Sequence, residues 1–303
     1  MNAYFIKRVY RGLFRHVEWN IGIVHAPIGT FLEANPRPLV SWLPPAKGGK
    51  FLADPFALVK DGIVHILCEE FDYHTFRGRI VSIELTDWQH PSTPKVAIEL
   101  PVSVSYPYLV EHQGDIYCIP ETGQAGEIGL YKAREFPHKW VKSGSLIRNF
   151  AGVDATVFQY EGRWWLTCTS DYPQPDQQLF VWHARDLLGP WRSHSGNPVK
   201  TDIRSSRPAG TPFVHAGCLY RPAQDCSRTY GGRIVLNRVT TLTPAQFEEQ
   251  PAAMIEPYAN GPYPDGIHTV SAIKNVTVID GMRRRFVPSA LQHNVRKVLK
   301  HGL

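Results

Sequence analysis

The sequence predicts an all-β fold, a single five-bladed β-propeller, and three observations carry that reading. Four segments repeat with a Gly at a fixed offset between two strand-like runs. The glycines recur at nearly constant spacing. The composition, with 24 Gly, 25 Pro, 13 Tyr and 8 Trp in 303 residues, suits many short strands joined by turns.

The repeated segments are Asp54–Gly62, Tyr106–Gly114, Asp154–Gly162 and Ala209–Gly217. Asp-Gly and Glu-Gly before an apolar run are hairpin signals. A second strand follows each turn, at Ile63–Cys68, Ile116–Ile119, Trp164–Thr169 and Cys218–Arg221. The four glycines are separated by 52, 48 and 55 residues. A period of roughly 50 residues with several strands per unit marks a propeller; a β-sandwich would leave the even spacing unexplained. A fifth, divergent unit starts near His268, its strand ending at an expected turn Asp280-Gly281. The propeller is assigned to 19–286, between a basic N-terminal extension (1–18) and a basic C-terminal helix (287–303).

This topology predicts a site. The innermost strand of a blade runs along the central channel and the next strand returns to the same end. Residues opening first strands therefore meet residues closing second strands at one mouth. The first group is Asp54, Tyr106, Asp154, Ala209/Gly210 and His268; the second is Glu69/Glu70, Glu121, Thr169/Ser170/Asp171 and Gln224/Asp225. Carboxylates gathered together are costly unless paired, so a purely structural channel has no need of them.

Composition narrows the function. Lys+Arg 33 against Asp+Glu 27 gives a net charge of +6, well short of a dedicated nucleic-acid binder, and none is expected as partner. No apolar run is long enough for a membrane-spanning helix. Lys7, Arg8, Arg11 and Arg15 interrupt the apolar residues of the N-terminus, so no secretory signal is read there and a cytoplasmic location is expected. Cys68, Cys118, Cys168, Cys218 and Cys226 form no CxxC pair and read as reduced core residues. No zinc spacing and no phosphate loop occurs, so no metal and no cofactor is assigned. Tyr4–Val17 and Val287–Leu303 place apolar residues at near-helical spacing among basic ones, each a basic amphipathic helix suited to contact with an anionic membrane or to packing on the propeller with charges solvated.

The chemistry expected of the mouth is that of sugars. Two carboxyls facing each other make or break glycosidic bonds, one at the anomeric centre and one exchanging a proton with the leaving oxygen. Asp54 is assigned to the anomeric carbon, Asp154 to orientation and Glu121 to proton transfer; the same Asp residues also suit turn or cap roles. Arg207 and Arg221 lie near Arg204, and Arg binds carboxylate or phosphate in bidentate fashion. They suit an anionic sugar or an activated donor, or equally pairing with Asp225 and Glu121 to hold blades together. Tyr106, Gln224, Asp225, Tyr230 and His268 complete the expected substrate-binding set.

The stretches Gly189–Val199, Ser206–Gly210 and Tyr220–Gly231, with Phe51–Phe56 and Tyr106…Thr122, resemble the propeller domain of plant glucosamine inositolphosphorylceramide transferases, over about Trp19 to Ala272. Stand-alone bacterial relatives occur among surface-polysaccharide genes. More distantly the pattern is similar to the five-bladed glycoside hydrolases of families 43, 32, 62 and 68, in which an Asp opens the first blade and another the third, as Asp54 and Asp154 do. In family 43 a general-acid Glu opens the fourth blade; here Pro208-Ala-Gly210 stands there. Either Glu121 or Asp225 takes that role, or the chain hydrolyses no glycoside. The resemblance implies a glycosyltransferase of surface polysaccharide or glycolipid assembly, acting on a sugar or activated sugar donor and a glycan or glycolipid acceptor. The alternatives are a glycoside hydrolase and a non-catalytic glycan-binding propeller.

Overall fold

The computed structural model describes residues 15–87 and 90–286. Five antiparallel sheets are arranged as a propeller. From the channel outward, blade 1 holds Lys50–Lys60, Ile63–Asp72, Arg77–Leu85 and Lys95–Ile98. Blade 2 holds Ser105–His112, Asp115–Glu121, Glu127–Glu135 and Lys139–Arg148. Blade 3 holds Gly152–Tyr160, Arg163–Ser170, Gln178–Ala184 and Arg192–Ser193, with the short strand Lys200–Thr201 also on the third of these. Blade 4 holds Phe213–His215, Cys218–Asp225, Arg233–Leu242 and Phe247–Ile255.

The inner hairpins turn as their sequences dictate. Asp61 and Gly62 both take positive φ, 52° and 79°, and the same left-handed pair recurs at Gln113-Gly114, Glu161-Gly162 and Ala216-Gly217. That backbone matches the twist of the paired strands and favours Gly at the second position. Apolar residues on the blade faces fill the spaces between neighbouring blades: Phe56, Tyr108, Ile119, Val157, Trp164 and Leu166 belong to one such cluster. Burying a side chain of this size stabilises the fold by roughly 1.5–3 kcal/mol. All five cysteines are free, and all but Cys218 are buried.

Blade 5 departs from the expected plan. Its inner strands are Val270–Ile273 and Val276–Phe286, turning at Lys274-Asn275, and Lys274 has φ 51°. Asp280-Gly281 is therefore not a turn but the middle of a strand. The local Asp-Gly signal is overridden because the strand continues to Phe286, paired with the N-terminal segment Arg15–Val24 from Arg15↔Phe286 to Val24↔Thr277. Val40–Trp42 completes the blade as its edge. The ring is thus closed by strands from both ends of the chain, and the expected boundary at residue 19 falls inside one of them. Residues 15–17 of the expected amphipathic helix are strand; the rest of it and the expected helix at 287–303 lie outside the described residues.

Blade 4 has the shortest inner strand because Pro208 and Pro212 offer no N–H to a ladder. Instead the chain passes close to blade 5, with Val270 N donating to Ala209 O (2.8 Å) and Thr211 N to Val270 O (3.2 Å). Gly210 lies between them at φ 119°, and a Cβ there would stand 1.8 Å from Val270 O. A carboxylate side chain at this point of the fourth blade is sterically impossible.

Gly210→Ala should therefore cost several kcal/mol, about 4 or more, since both the backbone and Val270 oppose it. Gly62→Ala, whose added Cβ meets nothing within 4 Å, pays only the left-handed backbone term, on the order of 1 kcal/mol. Urea midpoints of the two variants should differ accordingly; equal midpoints would contradict the close approach of blades 4 and 5.

Candidate functional site

Three inner strands are bulged at the predicted mouth. Register slips between Ala53 and Phe56, Ser105 and Tyr108, and Val153 and Thr156. The bulged residues are Asp54, Tyr106 and Asp154, at φ 54°, 43° and 52°. Such conformations cost roughly 1–3 kcal/mol per residue and persist only when neighbours enforce them. Carboxylates do so here. Asp54 N–H donates to Asp280 Oδ2 of blade 5 (3.2 Å). Tyr106 N–H donates to Asp54 Oδ2 of blade 1 (3.2 Å). Asp154 N–H donates to Glu121 Oε2 of blade 2 (3.1 Å). Each bulge is held by an acid from the preceding blade.

The phenol of Tyr106, fully buried, carries the connection onward. Gly210 N–H donates to its oxygen (2.8 Å), it bonds Thr156 Oγ1 (2.8 Å), and Thr156 donates to Asp154 O (3.0 Å). Asp54 Oδ1 accepts the Thr269 hydroxyl (2.9 Å). Both oxygens of Asp54 are thus engaged, and burial, with help from Asp154 and Asp280, pushes its carboxyl up to about 6.

His268 faces both acids of this region. Its Nδ1 is 2.5 Å from Asp280 Oδ2 and its Nε2 3.7 Å from Asp54 Oδ1. Burial opposes the imidazolium, but Asp280 and Asp54 outweigh it and hold His268 up at about 9. The ring stacks on Trp19 (centroids 3.9 Å apart, 13° between planes). Asp54, His268 and Asp280 offer ligand atoms within 4.8 Å of one another, the spacing of a metal site. Asp280, however, also accepts the N–H groups of His268 (2.9 Å), Thr269 (3.0 Å) and Asp54. These atoms are spent on hydrogen bonds, as in a buried salt-bridged triad.

Across the mouth, Arg207 gathers the other acids. Its Nε donates to Asp154 Oδ2 (2.6 Å), its Nη1 to Asp176 Oδ1 (2.9 Å), and its Nη2 lies 4.0 Å from Glu121 Oε2. The guanidinium lies 4.9 Å from the ring centre of Tyr230, a cation–π contact. Gln224 Nε2 adds a second donor to Asp154 Oδ2 (2.9 Å). Glu121 is the more accessible acid, its side chain 21% exposed against 4% for Asp154. Burial pushes Glu121 well above the usual carboxylate range and Asp154 adds to it, while Arg207 opposes them.

The structure thus brings together Asp54, Tyr106, Glu121, Asp154, Arg207, Gln224, Tyr230 and His268. It does not bring Arg221 or Asp225 to them. Arg221, 1% exposed, forms a bidentate pair with Glu249 (2.6 and 2.8 Å) and donates to the carbonyls of Ser205 and Ser206. It ties blade 4 to its lead-in segment, though through Glu249 rather than Asp225 or Glu121. Asp225 follows Gln224 and so points to the opposite face of its strand. Burial raises its carboxyl, but Ser227 and Arg233 prevail and hold it below the usual range. A low-pKa acid locked to Arg233 is a poor proton donor, so Asp225 is unsuited to the missing acid's role.

Three participants, Asp280, Trp19 and Asp176, were outside the residues expected at the mouth, and a fourth, Glu69, was expected there without a role. Asp280 carried a signal, a lone acid closing the apolar run Val276–Ile279, which is costly unless partnered. Trp19 arrives on the N-terminal strand, and nothing local ties it to blade 5. Asp176 comes from the connection after Ser170. Glu69 stands at the position of Glu121 one blade earlier, opposite Ala53 as Glu121 is opposite Ser105. Burial, then Asp54, raises it well above the usual range, and among the described residues it has no ion-pair partner. Gly78 makes room for it: a Cβ there would meet Glu69 Oε1 at 2.2 Å.

Residues 40–260 match the family described as glucosamine inositolphosphorylceramide transferase 1, N-terminal. Glucosamine inositolphosphorylceramide transferase 1 of Oryza sativa subsp. japonica is 32% identical over 228 residues, covering 71% of this chain and 30% of the rice protein. The Arabidopsis thaliana protein of that name is 32% identical over 206 residues, covering 66% of this chain and 27% of its own length. The chain therefore spans less than a third of these curated relatives. Among solved structures, a family 117 glycoside hydrolase of Zobellia galactanivorans superposes with a TM-score of 0.55 at 16% identity, over 89% of this chain and 91% of that one. A β-1,2-mannobiose phosphorylase of Listeria innocua gives 0.53 at 12% identity, over 84% and 95%. At such identities they share the fold.

Two predictions follow from the charges. His268 binds its proton more tightly folded than unfolded, so its contribution is fully present below pH 6.5 and is lost as pH rises through about 9. Asp54, raised from 3.8 to about 6, likewise favours the protonated fold, so stability also falls with rising pH across that lower window. Thermal melting from pH 4 to 10 should decline through both windows, and His268→Phe should flatten the upper one; an unchanged upper slope would refute the assignment. Arg207→Ala leaves Asp154 buried without its cation and should cost about 3–5 kcal/mol by chemical denaturation. A cost under ~1 kcal/mol would mean the pair is solvated like a surface bridge.

Proposed function

The chain belongs to the glucosamine inositolphosphorylceramide transferase N-terminal family, and from that premise we propose that its channel mouth handles a saccharide in glycosyl transfer during surface glycan or glycolipid assembly. The observation that carries the proposal is Glu121. It is a partly accessible carboxyl with a raised pKa, set beside a single arginine and within reach of an aromatic face that is itself 45% exposed, that of Tyr230. A carboxyl that burial makes hold its proton more tightly than usual can give that proton to a glycosidic or phosphate-ester oxygen and take one back. Arg207 supplies positive charge for the anionic part of an activated donor. Tyr230 offers a ring on which a sugar's C–H face can rest.

In this mechanism Asp54 and Asp154 set the field rather than meet the substrate first. Asp154, bound by Arg207 and Gln224, fixes the guanidinium and raises Glu121. Asp54 has both oxygens engaged, and its negative charge stabilises developing positive charge above it through space. A second reading, a glycan-binding propeller without chemistry, draws on the saturation of Asp54 and the locking of Asp154 by Arg207. It differs in needing no proton from Glu121.

The two readings part on Glu121→Gln. Purified protein is incubated with a panel of nucleotide sugars and glycan or glycolipid acceptors, with products read by mass spectrometry and binding by calorimetry. Under the transfer reading Glu121→Gln keeps saccharide binding within about threefold and loses product formation by 10²–10⁴-fold, the usual contribution of general acid–base catalysis. Binding without turnover by the unaltered protein would support the second reading, and hydrolysis without transfer would make the chain a glycosidase.

A further inference from the structure

One acid of the mouth is left out of the arrangement that occupies the others. Asp280 and Glu121 stand on second strands, and each accepts the bulged N–H of the following blade, that of Asp54 (3.2 Å) and that of Asp154 (3.1 Å). Glu69 holds the same position in blade 1. It is opposite Ala53, just before the bulged Asp54, as Glu121 is opposite Ser105, just before the bulged Tyr106. By that pattern Glu69 would accept the N–H of Tyr106. Asp54 takes it instead, through Oδ2 (3.2 Å). Glu69 is thereby relieved of a structural bond, and among the described residues it has no hydrogen-bond or ion-pair partner.

The chain nevertheless makes room for it. Glu69 Oε1 lies against Gly78, on the third strand of its blade, where a Cβ would stand 2.2 Å from that oxygen and 2.7 Å from Val104 O at the entry to blade 2. Gly78 lacks the positive φ of the hairpin glycines, so its missing side chain serves space rather than backbone. Glu69 is partly exposed, so a ligand at the mouth can reach it. A carboxyl drawn partly out of water without a donor is costly. Burial, then Asp54, push it well above the usual carboxylate range; Asp154 and Asp280 add to this and His268 opposes it. A ligand that brings its own donors removes that cost.

We propose that Glu69 is the hydroxyl-binding residue of the mouth, its two oxygens meeting a pair of neighbouring hydroxyls on the saccharide. The inference rests on the reading that a saccharide enters this mouth, and not on what is then done to it. Two hydroxyls give a carboxylate two O–H donors; to a protonated carboxyl they give one donor and one acceptor. Either state of Glu69 is satisfied by the same pair. An anionic group does not fit there. Glu121 has Arg207 Nη2 at 4.0 Å, whereas no cation pairs with Glu69. The mouth is thus divided: the anionic part of an activated donor belongs with Arg207, and the sugar's hydroxyls with Glu69 on the blade 1 side.

The test titrates UDP-glucose, UDP-galactose and GDP-mannose, each beside its own nucleoside diphosphate, into the full chain by calorimetry. Glu69→Met, similar in length and without oxygen, should weaken the nucleotide sugar that the parent binds by roughly tenfold or more, and leave its nucleoside diphosphate within about twofold. Glu69→Gln, which keeps one oxygen, should fall between. In turnover the loss should appear in KM with kcat held within about threefold, the reverse of Glu121→Gln. Neither variant loses a bond of the folded state, so both should melt no lower than the parent at pH 5. Folding raises the pKa of Glu69, so the stability drawn from its proton is lost as pH rises, and the gain of both variants over the parent should widen toward pH 8. Undiminished sugar binding by Glu69→Met, an equal loss for the nucleoside diphosphate, or lower melting of both variants would overturn this proposal and leave the function of the mouth standing. A parent that binds none of the sugars would overturn both together.

Discussion

The structure rests on one repeated interaction, a bulged inner-strand N–H given to a carboxylate of the preceding blade. Asp280 receives that of Asp54, Asp54 that of Tyr106, and Glu121 that of Asp154. A bulge in the left-handed region is unfavourable by itself and would relax to a regular ladder without an acceptor in place. The acceptor in turn is buried and would be costly without its donor. Each half makes the other tolerable, and repetition around the axis fixes how neighbouring blades meet. The polar ring therefore cannot be separated into a scaffold and a site. The acids that give the mouth its chemistry are the same acids that hold it open.

This double duty leaves the acids unequally placed. Asp280 and Asp54 have every oxygen engaged and are tied to His268. Asp154 is equally buried, held through one oxygen by Arg207 and Gln224. Glu121 and Glu69 have one methylene more than Asp and reach the surface from second strands. Chain length alone thus separates field-setting carboxylates from one able to exchange a proton with a ligand. Arg207 joins the two groups, since it neutralises the buried acid while remaining in contact with the exposed Tyr230.

Much of this was legible because turns are local. The Gly at the second position of the first four inner hairpins is demanded by its φ, so equal spacing of glycines reported equal blades. The register of Asp54, Tyr106 and Asp154 then followed from counting. What stayed hidden depended on contacts between distant segments. Nothing in Arg15–Val24 announces pairing with Val276–Phe286, so Trp19 was placed at a boundary rather than in the site. Asp280-Gly281 spelled a turn and was overruled by a long strand partner. Arg221 and Arg207 look alike in sequence; only the fold shows that one meets Glu249 inside a blade and the other Asp154 at the mouth.

Closure of blade 5 by both ends has a kinetic side. Arg15–Val24 leaves a ribosome well before its partner Val276–Phe286, with four whole blades made in between. Until those blades are made, the early strand is left with one edge unpaired, an edge prone to pair with other chains. Contacts of this sequence separation also slow folding, because a large loop must close before they form. The first four blades can assemble as the chain emerges, but the circle is completed only afterwards, in a step that involves the whole polypeptide at once. Shortening either terminus into these strands would leave an open arc with two sticky sheet edges, whose natural fate is self-association.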